Sequence, residues 1–367
     1  MVQNALKLLF GATLSVALFS VCSCSNDSGT NANQYVHLDD YTDLVADSIE
    51  FIETDSYKVL LPTEEVLKMV GASRAKLVFR DEIQKKMIYA QYSRDDSSEV
   101  RFFDLNSGIN AYHAEISPDG EWVAFGTTYE GLPYSSTLYV QNLRTGRLVA
   151  LRKQAAVVPR WSVIEQDTVI FFMENAVINN VDGWRDYGNY YVRFSDGKFS
   201  KPQKNFGKGS FNVVSNDFRF AASIGPKLYA RKMTTVNGKE TYVDTLWFGG
   251  DQVCNVSLAN DSSLRISFLD MTGKEGVEYV GEKYLPHTRL LVMDSLGTII
   301  QAVPSPENTA FDQTEWIAGA EFEVCTLQDF FKDLIHDKIA LVNMKDETVT
   351  EIISGEDMWH PDFWIEK

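Results

Sequence analysis

The sequence predicts an all-β chain: a six-bladed β-propeller whose ring is closed by the C-terminal strand, behind a lipoprotein signal and a short tether. Three observations carry that prediction. Two kinds of strand segment recur six times each between about residue 76 and the C-terminus. Aromatic residues make up 12% of the chain, and such side chains fit pleated surfaces. The first 24 residues read as an export leader that ends in a modifiable cysteine.

The leader, 1–24, carries one cation, Lys7, and an apolar run from Leu8 to Val21. That run is shorter than the ~20 residues that span hydrocarbon. It closes on Val21-Cys22-Ser23-Cys24, a lipobox pattern with an aliphatic residue at −3 and a small one at −1, which makes Cys24 the expected lipidation site. Cys22 fits less well because bulky Val21 would flank the cut; an ordinary secretory signal is the alternative. Ser25, where an aspartate would favour inner-membrane retention, points to the outer membrane.

Residues 25–75 form a tether and N-terminal extension. Residues 25–33 (SNDSGTNAN) are small and polar, as in flexible linkers, and 39–55 are acidic. Pro62 to Gly71 reads as one short helix, with Thr63 as its cap, Glu64 and Glu65 at its positive end and Gly71 as its stop.

The propeller is expected over 76–367. One recurring unit is an apolar strand ending at a turn, as in Leu138-Tyr-Val-Gln-Asn-Leu-Arg-Thr-Gly146 and Leu290-Leu-Val-Met-Asp-Ser-Leu-Gly297. The other is clearest in Ala114-Glu-Ile-Ser-Pro-Asp-Gly-Glu-Trp-Val-Ala-Phe125. Its equivalent positions are Ser117, Ser162, Ser215, Ala259, Ile317 and Ile365, 44 to 58 residues apart, close to one blade each. The two series are out of phase. The last strand, Trp359–Ile365, has no following hairpin, and the first hairpin, Met87–Tyr92 with Val100–Leu105, has no preceding strand. The last strand therefore completes the first blade and hides a sheet edge.

The Ser117–Phe125 and Leu138–Gly146 segments resemble the repeat of TolB-type (WD40-like) six-bladed propellers. More specifically, residues 70–367 resemble a paralogous family of fibrobacterial lipoproteins. The resemblance is carried by Val158-Pro-Arg-Trp161, Asp244-Thr-Leu-Trp247, Cys254-Asn-Val-Ser257, Val280-Gly-Glu-Lys-Tyr284, Phe311-Asp-Gln-Thr-Glu-Trp316 and Met358-Trp-His-Pro361. It implies the propeller and the lipid anchor but no activity, because family members have no established function. Gln313 stands where the pattern has histidine, which puts a role for that side chain in doubt.

The charge of −17 repels phosphate backbones, so nucleic acid is excluded as a partner. There is no Gly-x-Ser-x-Gly elbow, phosphate loop, HExxH or CxxC, and the five histidines are dispersed. No metal or cofactor is expected. Cys254 and Cys325 read as two free thiols, although export would permit a bridge. The candidate ligand-binding group is Arg160, Asn255, Glu315 and His360, each at or next to the start of an inner strand in a different blade. Trp161, Trp316 and Trp359 lie alongside; the competing reading makes them blade core and the polar residues backbone partners. The expected function is a monomeric, non-catalytic, protein-binding or scaffold lipoprotein of the cell envelope, touching the membrane through its anchor alone. A carbohydrate-binding lipoprotein is the first alternative. An envelope hydrolase using Asp312, Glu315 and His360 is the second.

Overall fold

The computed structural model describes most of the chain from residue 42 to residue 367. Residues 45–48, 95–98, 106–108, 128–135, 156–158, 175–187, 272–283 and a few single or paired positions lie outside the description. The leader, Cys24 and the 25–33 tether lie outside it too.

Apart from one short helix, the regular elements of the described residues are strands, arranged in five antiparallel sheets that make six blades, because blades 2 and 3 are joined in one ten-stranded sheet. The innermost strands are Tyr112–Ile116 in blade 2, Arg160–Ile164 in blade 3, Val213–Val214 in blade 4, Val253–Leu258 in blade 5 and Thr309–Trp316 in blade 6. Blade 1 takes its innermost strand from the end of the chain. Met358–Ile365 pairs antiparallel with Arg74–Asp81, in register Met358↔Asp81 to Ile365↔Ala75. Ring closure thus follows the phase of the repeats. The pairing moves one repeat position: Trp364, opposite Lys76, is the counterpart of Ser117 and Ile317, so the last copy aligns on Trp364 rather than Ile365.

Each blade is apolar on both faces because it packs against two neighbours, so the core is divided among the blade interfaces. Leu77, Phe79, Ile88 and Tyr92 of blade 1 meet Ile317, Val324, Ile339 and Leu341 of blade 6. Val78, Tyr89, Ile116 and Phe125 fill the gap between blades 1 and 2. Trp161 packs between blades 2 and 3 and Trp316 between blades 5 and 6. Both tryptophans are blade core, as the competing reading had them. Trp359 and Trp364 are only partly buried; the buried apolar side chains of the closing strand are Met358 and Phe363.

The N-terminal extension contributes more than a helix. Thr42–Leu44, Glu50–Ile52 and Lys58–Val59 pair with the outermost strands of blades 2, 1 and 6. These short strands cover edges that would otherwise present unpaired N–H and C=O groups. The helix runs Thr63–Met69, and its cap position is Pro62, with no side-chain cap bond. Thr63 is thus the first helical residue rather than the cap, with its hydroxyl buried and unpartnered among the described residues. Gly71 ends the helix at φ +67°, as its position suggests.

The SPDG segment of blade 2 is a tight hairpin turn. Gly120 N–H donates to the Ser117 carbonyl, and the Ser117 hydroxyl donates to Asp119. Only glycine fits there: Gly120 has φ +72°, and a Cβ would lie 2.6 Å from the Trp364 ring. Neither Cys254 nor Cys325 is disulfide-bonded.

Candidate functional site: two tiers of polar side chains in the channel

Four inner strands carry the same irregularity. Their register slips between Tyr112 and Glu115, Cys254 and Ser257, Asp312 and Glu315, and Trp359 and Asp362. Inside each slip sits a residue with positive φ: His113 (52°), Asn255 (52°), Gln313 (50°) and His360 (52°). An extra residue in an inner strand re-aims its side chains, and the polar residues at the slip and two positions later form separate tiers along the channel.

In the first tier Gln313, His336 and His360 are buried, and His113, Asn255 and Asp312 are partly buried. The rings of His113 and His360 lie 3.8 Å apart between centroids. The Gln313 amide oxygen accepts the His360 backbone N–H at 2.5 Å, so this side chain, at the position where the resemblance has histidine, serves the backbone. The Asn255 amide donates to Asp312 at 2.5 Å. Asp312 also pairs with His336 at 3.0 Å, and the other nitrogen of His336 meets Asp357 at 3.1 Å. Burial works against charge on His336, but the two carboxylates win and raise it to about 9. Burial likewise opposes ionisation of Asp312, yet the His336 hydrogen bond and the neighbouring positive charge hold its carboxyl below the ordinary range. His113 and His360 go the other way. Burial, with Arg160 nearby, lowers His113 to about 3; burial and the facing His113 lower His360 far below its usual value. Both are neutral at physiological pH.

The second tier lies at the end of the channel that carries the hairpins between first and second strands. Arg160 of blade 3 reaches Glu315 of blade 6 at 2.6 Å; blades 3 and 6 are opposite in a ring of six, so the pair bridges the channel. The two side chains are 18% and 22% exposed, so the pair is only partly screened by water. Ser257 donates to the other Glu315 oxygen at 2.7 Å.

Three members of this tier also staple one blade to the next. Asp362 accepts Ile116 N–H at 2.6 Å, Glu115 accepts Trp161 N–H at 2.8 Å, and the Ser257 hydroxyl accepts Trp316 N–H at 3.0 Å. Glu315, at the equivalent position, is the one whose carboxylate reaches across the channel. Burial pushes the Glu115 carboxyl well above its ordinary value, with Asp362 and Glu315 adding to the rise and Arg160 opposing it. Burial also raises Asp362, to about 7. Around these groups lies a cavity of about 450 Å³, with Trp161 and Trp316 in its wall.

Of the four expected site residues, the structure brings Arg160 and Glu315 into contact and places Asn255, partly buried, and His360, buried, in the first tier. The sequence reading missed Glu115, Ser257 and Asp362. Their signal was a polar residue two positions after His113, Asn255 and His360, repeated in register. Asp312 and Glu315, three residues apart in one strand, serve different partners: His336, Asn255 and Gln328 for the first, Arg160 and Ser257 for the second.

The blades, the closing strand and the central channel define a six-bladed β-propeller with the TolB-like fold. TolB from Acinetobacter baumannii is a similar solved structure, at TM-score 0.50 and 12% identity, covering 81% of this chain and 69% of that one. A putative TolB from Agrobacterium tumefaciens aligns at TM-score 0.43 and 13% identity, over 80% of this chain and 99% of that one. The tricorn protease aligns at TM-score 0.44 and 10% identity, over 75% of this chain and 26% of that one. At 12% identity the likeness to the Acinetobacter TolB establishes the fold alone. No family model matches the chain, and no curated protein matches it.

Proposed function

We propose that this chain is a non-catalytic binding propeller of the cell envelope, lipid-anchored at Cys24, that captures a segment of another envelope protein at the mouth of its channel. The observation that carries the reading is the Arg160–Glu315 ion pair spanning a cavity of about 450 Å³. Pockets of this size take small ligands or short chain segments, and a fork of fixed donors facing a carboxylate orients amides and carboxylates. The engagement of Asp312 and Glu315 by separate partners favours binding over hydrolysis. The fibrobacterial resemblance and the leader favour the outer membrane.

The test is Arg160→Ala and Glu315→Ala, with partner capture from solubilised envelopes and melting temperature measured on the same protein. Capture is expected to fall by about tenfold or more, the loss of roughly 1.4 kcal/mol of binding. Melting is expected to move by only a few degrees, about 1 kcal/mol for a domain of this size. A fall in stability with no separate loss of affinity would return the pair to a structural role.

For the anchor, Cys24→Ala should give a protein that leaves the detergent phase for the aqueous phase on temperature-induced separation. A wild-type chain that is itself aqueous after export would remove the lipid anchor from the reading. A glycan reading has one observation in its favour, a larger depression of about 870 Å³ that shares Glu115, Trp161, Trp316 and Asp362 with the mouth and is walled partly by Tyr89, Phe103 and Trp364. Binding on a glycan array that survives Arg160→Ala would favour it.

A further inference from the structure

The channel mouth is charged out of balance. Glu115, Glu315 and Asp362 converge on one guanidinium, that of Arg160, and Glu315 is the carboxylate that contacts it directly. Among the described residues, Glu115 and Asp362 have no cation within ion-pair distance and draw only on backbone N–H groups, from Trp161 for Glu115 and from Ile116 and Phe363 for Asp362. A desolvated carboxyl group in this state is costly to ionise unless a positive partner arrives.

A second, independent feature lies in the same wall. Trp316, more than nine-tenths buried, lines the cavity, and its indole N–H has no acceptor. The equivalent indole of blade 3, Trp161, donates to the Glu115 carbonyl at 2.9 Å. An orphaned buried donor lining the same cavity as these carboxyl groups asks for a group that presents both a cation and an acceptor.

We infer, building on the binding reading above, that the channel mouth receives the free amino terminus of a polypeptide, its ammonium between Glu115 and Asp362 and its first carbonyl towards Trp316 and Arg160. The α-ammonium and the adjacent carbonyl are held a few ångströms apart by covalent geometry, which suits a small cavity better than a long, flexible lysine does. A metal ion fits less well. No group of three or more His, Cys, Asp or Glu with metal-binding geometry occurs among the described residues, and the Arg160 guanidinium sits in the same space.

The raised carboxyl groups give the site a pH signature. Glu115 feels Arg160, Asp362 and Glu315, and Asp362 feels Glu315 and Arg160. Burial favours the protonated form of both, and Asp362, raised to about 7, is largely protonated in mildly acidic solution, so an arriving ammonium must displace a proton. Binding should therefore strengthen as pH rises through about 7 and should release protons to the buffer.

The experiment is an NMR titration of the full exported domain with three probes: triglycine amide, its N-acetylated form and n-butylammonium. The free amino terminus should bind at least about tenfold more tightly than the acetylated peptide, with n-butylammonium between them, at probe levels up to about 10 mM. Its affinity should rise several-fold from pH 5.5 to 8, and Asp362→Asn should shrink that rise, removing the part centred near pH 7, while leaving the domain folded. Equal binding of free and acetylated peptides would overturn the amino-terminus assignment and leave the channel a peptide site. Tighter binding of n-butylammonium than of triglycine amide would also overturn it, by removing the carbonyl. No binding of any probe would overturn it as well, while partner capture by the wild type, lost in Arg160→Ala, would still stand.

Discussion

Removing residues 358–367 should abolish cooperative folding of the whole domain, not of one blade. Six residues of the eight-residue closing strand pair antiparallel with Arg74–Asp81, and without it that edge lies open. The deletion also removes Met358 and Phe363, at 0% and 3% exposure, from the interface of blades 1 and 6. Loss of a buried methionine costs about 2–5 kcal/mol and of a phenylalanine about 3–5, against a total stability of about 5–15 for a typical domain. The Asp362–Ile116 staple to blade 2 goes with them. The truncated protein is expected to aggregate, or to melt without a cooperative transition by calorimetry. Phe363→Ala, which keeps the strand, should still melt cooperatively but at lower temperature. A truncated domain that melts like the intact one would end the closed-ring description.

The second large effect is a gain. Glu323, in the second strand of blade 6, is fully buried, with neither carboxyl oxygen in hydrogen-bond geometry; Ser267 of blade 5 is its polar neighbour. Burial first, and the charge of Glu315 after it, raise its carboxyl from 4.5 to about 8. The folded protein therefore holds a proton that the unfolded chain releases above pH 4.5. The stability tied to that proton is fully present below pH 4.5 and is lost progressively as pH rises through 8. By pH 9 the loss is on the order of 4 kcal/mol. Glu323→Gln keeps the shape and removes the titration. Its advantage over the wild type should be small at pH 5 and grow to a melting-temperature gain of roughly 10 °C by pH 9. Urea midpoints at pH 5, 7 and 9 measure it. Parallel pH profiles for the two proteins would show that Glu323 is not the group responsible.

The tertiary structure also explains where the sequence reading shifted. Thr63 looks like a helix cap by type, but Pro62, with its fixed φ and no N–H to satisfy, takes the cap position and Thr63 enters the first turn. The extension reads as tether because three-residue strands such as Glu50–Ile52 are too short for any periodicity to show. They become strands only because a blade edge offers them partners.

By itself the sequence determined the blade count, the hairpin turns such as Ser117–Gly120, and the strand that closes the ring, because strands, turns and blade length are written in runs of neighbouring residues. It also supplied Arg160 and Glu315, since polar residues at repeated positions must face one channel. Only the tertiary structure decided that these two meet across it, that Glu115 and Asp362 lean on backbone N–H groups of the next blade, and that Asn255 and His360 lie in a separate tier. Those outcomes depend on register slips of one residue and on contacts between blades more than 150 positions apart, such as Arg160 with Glu315 and Asp362 with Ile116. Side chains that far apart share no local pattern, and what places them is the closure of the ring.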